Sequence, residues 1–125
     1  MADISPIINR QIDPDNGTVI KATWNTLNNG NNVGVAIKMP QHADRAIEFR
    51  GTFDGSTVVL EGSNGGSAYY TLTNPAGTAL SFTAAGLKQI VEGPLFIRPN
   101  VISNVNTNTA IVADLIMRRN NPYTR

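Results

Sequence analysis

The run from Gly51 to Val101 constrains this chain most. It reads GTFDGSTVVLEGSNGGSAYYTLTNPAGTALSFTAAGLKQIVEGPLFIRPNV, short β-type stretches punctuated by Gly, Asn, Asp and Pro. Asp54-Gly55 between two apolar stretches predicts a two-residue hairpin turn. Asn74-Pro75-Ala76-Gly77 has the Pro and Gly placement of a type I turn. Ser63-Asn64-Gly65-Gly66-Ser67 predicts a further loop. With turns this close together the chain has no room for long helices, and the fold class is all-β.

The flanking sequence extends the pattern. Thr18 to Asn25 alternates Val19, Lys21 and Thr23 against Ile20, Ala22 and Trp24, which predicts a strand with Trp24 as the large core anchor. Leu27 to Asn32 predicts a turn. Val33, Val35 and Ile37 predict a second strand, ended by Pro40. Ala43 to Phe53 predicts a third, with Ile47, Phe49, Gly51 and Phe53 on one face. Strands are also expected over Thr57–Gly62, Ala68–Thr73, around Leu80 and Phe82, over Pro94–Ile102 and over Thr107–Arg119. Pro99 suits an edge or a bulge. Thr83 to Glu92 is the one segment with helical character, one or two turns at most, because Gly86 weakens it. About eight strands spaced 8–12 residues apart predict a single β-sandwich or barrel.

The sequence thus divides into an extended arm over residues 1–17, a β-sandwich domain over 18–119 and a polar tail over 120–125. Pro6 and Pro14 interrupt any helix in the arm. Its Ile4, Ile7, Ile8 and Ile12 need a surface to cover, either on their own domain or on a neighbouring subunit.

Composition narrows the function classes. Charged residues make up 15% of the 125-residue chain, against a typical share of about 25%, so Asn, Thr, Ser and Gly must supply much of the polar surface. The net charge is +1, and Arg118-Arg119 is the one basic cluster, which argues against nucleic acid as a partner. There is no Cys, so disulfides and Cys-ligated metals are excluded. No stretch approaches the ~20 apolar residues of a membrane helix, and the N-terminus lacks the pattern of a secretory signal. A soluble intracellular domain is the expectation.

Chemistry-bearing residues are scattered. His42, the only His, has Asp44 as its one nearby carboxylate and is expected in a solvated loop. Asp13-Pro14-Asp15-Asn16-Gly17-Thr18 resembles the start of a calcium loop but lacks the distal Glu; a turn closing the arm is the better reading. The Ser63–Ser67 loop lacks the Lys of a phosphate cradle. Glu48 and Glu61 have the residue types of a glycosidase pair, with nothing in the sequence to make them converge. Tyr70 falls on the Leu72 face and is expected in the core, while Tyr69 is the better candidate for exposure and for stacking on a sugar or base. Arg98 lies inside an apolar strand and needs a partner or a water-facing site; an intersubunit or core-edge carboxylate, such as Glu92 or Asp114, would serve. No catalytic, metal or cofactor set emerges, and an enzyme is not expected.

One ordered series of motifs goes further. A Gly51-Thr52-Phe53 strand is followed by Gly55, Thr57-Val58, Leu60-Glu61-Gly62-Ser63-Asn64, Tyr70, Leu72-Thr73 and Pro75. Then come Phe82-Thr83-Ala84-Ala85-Gly86, Gln89-Ile90, Pro94-Leu95-Phe96-Ile97-Arg98-Pro99 and the closing Leu115 to Arg119 run. This series resembles the capsid decoration, or cement, proteins of tailed bacteriophages, over about half of the chain. The resemblance implies a β-sandwich, of which the jelly roll is one form, bound to the outer surface of an assembled head. It implies major capsid proteins as partners, self-association as a homotrimer with a homodimer as alternative, assembly in a bacterial cytoplasm, and no cofactor. Ile4, Ile7, Ile8, Ile12, Arg98, Arg118 and Arg119 are then the candidate interface residues. The competing expectation is a carbohydrate- or receptor-binding module of a phage tail or baseplate, which needs an exposed aromatic pair.

Overall fold

The computed structural model describes residues 4–9, 19–103 and 105–119. The calcium-like segment Asp13–Thr18, Ile12 and the C-terminal tail lie outside the described residues. Nine strands are seen among the described residues: β1 (Ile7–Asn9), β2 (Val19–Asn28), β3 (Asp44–Thr52), β4 (Thr57–Ser63), β5 (Tyr70–Thr71), β6 (Ser81–Phe82), β7 (Gly86–Ile90), β8 (Phe96–Ser103) and β9 (Ala110–Arg118). They form two antiparallel sheets packed as a β-sandwich. The first has the order β1-β2-β9-β3-β7. In the second, β4 pairs with β8 along its whole length and with β5 and β6 on its other edge.

The pleat explains the core. Ile20, Ala22 and Trp24 of β2, Ile47 and Phe49 of β3, and Ile111, Ala113, Leu115 and Met117 of β9 all point inward and are buried. Val58 and Leu60 of β4 meet them from the second sheet, with Ile97 and Val101 of β8. Phe49 and Phe82 touch edge to face across the layers, their centroids 4.9 Å apart, a favoured aromatic geometry.

Glycine is required where β3 runs into β9. Gly51 has φ 111°, and a Cβ there would lie 2.3 Å from the Ala110 carbonyl oxygen.

One sequence expectation fails here. Residues 86–90 form a strand, not a helical turn, and no helix is found among the described residues. Leu87, Lys88, Gln89 and Ile90 tolerate a helix well, but β3 offers them an antiparallel edge from Arg45 to Phe49. That pairing is non-local, and a five-residue segment is too short for its own propensity to resist it.

The segment Val33–Ile37 is less regular than expected. It runs beside β8 through isolated bridges at Val33–Asn100 and Ile37–Ile97. Pro99 explains the irregularity. Its carbonyl accepts from Gly34 N–H, so its missing N–H lies on that same side, where the ladder is already broken.

Candidate interaction surfaces

The arm crosses from one sheet to the other. Ile4 N–H donates to Val33 O at 3.0 Å, and Val35 N–H donates to Ile4 O at 2.7 Å, on the border of the second sheet. Three residues later Ile7–Asn9 pair with Thr23–Lys21 at the edge of the first. Ile4 and Ile8 pack against the core, so part of the apolar arm covers its own domain. Ile7 faces out and is 67% exposed.

The opposite margin is closed by other means. Val91 N–H donates to Thr73 O at 3.0 Å. The Glu92 carboxylate accepts from the Thr73 backbone N–H at 2.8 Å and from its hydroxyl. Burial raises the Glu92 pKa, but the hydrogen bonds from the Thr73 side chain, from its backbone and from the backbone of Glu92 itself lower it by more, so the net shift is downward.

On the outer face of the first sheet Asp114 is nearly buried. It accepts from the Thr23 hydroxyl at 2.7 Å and pairs with Arg50 Nε at 2.9 Å. The ladder sets Ile7, Thr23, Asp114, Glu48 and Leu87 in one row across all five strands. Exposed apolar side chains therefore stand at both ends of a polar row, since Leu87 is also exposed. Arg118 is exposed at the end of β9, opposite Val19 and Asp44. Arg119 is half-buried.

The partner of Arg98 is Glu61, not Glu92 or Asp114. Arg98 Nε donates to Glu61 Oε1 at 2.7 Å, because β8 and β4 place the two Cα atoms directly opposite each other. Asn100 adds a hydrogen bond to the same oxygen. The Tyr69 ring lies 3.7 Å from the Arg98 guanidinium carbon, a cation–π stack that shields the pair. Tyr69 is thus half-buried, while Tyr70 is 72% exposed. The expected roles of the two tyrosines are reversed. Tyr70 does lie on the Leu72 face, but its cross-strand neighbour is Gly62, and Pro94 and Leu72 already fill the space above that glycine.

His42 is buried, against expectation. The reason is Arg45, whose importance the sequence reading missed. Its guanidinium, at an inward position two residues before Ile47, donates to the carbonyls of His42 (2.7 Å), Met39 (2.8 Å) and Pro94 (3.3 Å). It folds residues 39–42 over the end of the core, and burial pushes its pKa down. The i−2 spacing from Ile47 was the available signal. Glu48 and Glu61 occupy outer faces of different sheets and do not converge.

Beside Tyr70 lies an open groove of about 640 Å³. The loop Ser63–Ala68 forms one wall and Glu92–Pro94 the other, with Leu72 between them. Comparison with protein-family models and with curated proteins finds no match to this chain.

Proposed function

We propose that this chain is a virion structural protein of a tailed bacteriophage, which decorates the outside of the assembled head and ties neighbouring major capsid proteins together. The motif series from Gly51 to Arg119 prompts the reading. The cross-strand row of the first sheet supports it best: Ile7 and Leu87 are exposed at opposite ends of one five-strand face, a spacing suited to gripping two neighbours at once. Each contact is small, and many linked copies on a shell add avidity. A homotrimer is the proposed state and a homodimer the alternative; light scattering of the purified protein separates them.

The test adds purified protein to heads that lack it. Binding should saturate at a fixed ratio to the shell subunit, and Ile7→Asp should weaken it while leaving the fold intact. Deleting the whole arm is a poorer test, because it also strips Ile4 and Ile8 from the core. Unsaturable binding, or full affinity in Ile7→Asp, contradicts the arm's role. Tyr70 is exposed while Tyr69 is stacked on Arg98, so one of the two aromatic rings wanted by the second reading, a carbohydrate- or receptor-binding module of a tail or baseplate, is presented; a low copy number per particle would support that reading.

A further inference from the structure

We infer that the groove beside Tyr70 is a binding site for a neutral saccharide. This deepens the second reading above, the carbohydrate-binding module, and rests on that reading, not on placement on a head. Three observations carry the inference. First, the groove volume of about 640 Å³ falls within the ordinary range for small-molecule sites, roughly 300–1,000 Å³. Second, Tyr70 stands at its margin 72% exposed, its apolar ring face turned largely to water. The C–H face of a pyranose is the natural cover for such a ring, and the phenol oxygen stays free to hydrogen-bond.

Third, polar groups that line the same groove are held in place, and each keeps spare capacity. Asn64 Oδ1 accepts from Leu95 N–H at 3.1 Å, which orients the amide and leaves its NH₂ protons to donate. Ser63 Oγ accepts from Gly66 N–H at 2.8 Å and retains its own proton. The Glu92 carboxylate is fixed by Thr73 and has lone pairs left to accept from hydroxyls. Donors, acceptors and an aromatic face together match a polyhydroxylated ring. The chemistry also selects against acidic sugars, because Glu92 is the one charged residue lining the groove and would repel a uronate.

The test is a ¹⁵N chemical-shift titration of the intact protein. The probes are tetrasaccharides of gluco, galacto and manno configuration, with glucuronate-containing counterparts. Saturable shifts are expected at the amides of residues 62–68 and 92–93 with at least one neutral probe. They should be weaker or absent with its uronate counterpart. Tyr70→Ala should weaken binding at least tenfold with no change in melting temperature, because the side chain is outside the core. Absence of saturable shifts with every probe would overturn the inference. So would binding unchanged in Tyr70→Ala, or a preference for the uronate. None of these results bears on copy number in the virion: copy number tests where the protein sits on the particle, and the titration tests what the groove binds, so the two can fail separately.

Discussion

The indole N–H of Trp24 donates to the carbonyl oxygen of Val35 at 2.9 Å, tying the first sheet to the strip of chain that borders the second. Gly34 lies flat against that indole. A Cβ at Gly34 would sit 2.6 Å from Trp24 Cδ1 and 2.8 Å from Pro99 Cδ. Gly34→Ala must therefore displace a fully buried ring or the β8 backbone. The expected loss is about 1–3 kcal/mol, the usual cost of overpacking a core. Trp24 is the only Trp, so its fluorescence during urea unfolding reads the effect directly. Gly30→Ala, where the nearest atom is 3.6 Å away, should change the midpoint little.

Arg98 and Glu61 make a second target. The pair is mostly shielded, and Tyr69 stacks on the guanidinium. Arg98→Lys keeps the charge but loses the planar stack and the Nε donor. A loss of about 1–2 kcal/mol is expected, in line with hydrogen bonds to charged groups. In a double-mutant cycle with Glu61→Gln the two losses should be far from additive. Additive losses would show that the two side chains act independently.

Arg45 holds three carbonyls, those of His42, Met39 and Pro94, with one guanidinium. Arg45→Met should cost about 2–4 kcal/mol, because buried acceptors lose a charged donor. The loss should be largest where the donor acts, so hydrogen-exchange protection should fall first around residues 39–42. Arg45→Lys should rescue little, having no planar fork to span acceptors on two sides. Uniform loss of protection across both sheets would contradict a local role.

Glu92 gives a pH signature. Its pKa is lowered on folding from 4.5. A depressed carboxylate contributes stability that is full above its unfolded value and lost as pH falls through the folded value. Melting temperature should therefore decline on acidification below about 4.5. Glu92→Gln, which cannot titrate, should flatten that part of the decline. An identical acid profile in the variant would remove Glu92 from the account.

Much of the sandwich was legible because turn chemistry and strict alternation are local. Asp54 and Gly55 take φ of 50° and 78° in a tight turn closed by Ser56 N–H on Phe53 O, although the turn is not the expected hairpin, because it carries the chain from β3 in the first sheet to β4 in the second. Asn74 Oδ1 accepts from the N–H groups of Ala76 and Thr78, which closes the loop around Pro75. The Ile20, Ala22, Trp24 face of β2 and the Ile47, Phe49 face of β3 followed from period two alone. What escaped was non-local. Residues 86–90 became a strand only because β3 lay beside them. Arg98 found Glu61 through a cross-strand register that no sequence spacing encodes. Tyr70 stayed exposed because Pro94, thirty-two residues beyond Gly62, had filled the site above that glycine. The groove depends on the same coincidence of two distant loops.

The most direct measurement is the copy number of this chain in purified virions, by gel densitometry against the major capsid protein. The account predicts a fixed, high ratio that follows the number of shell subunits. A few copies per particle, fractionating with tails or absent from heads, would contradict it.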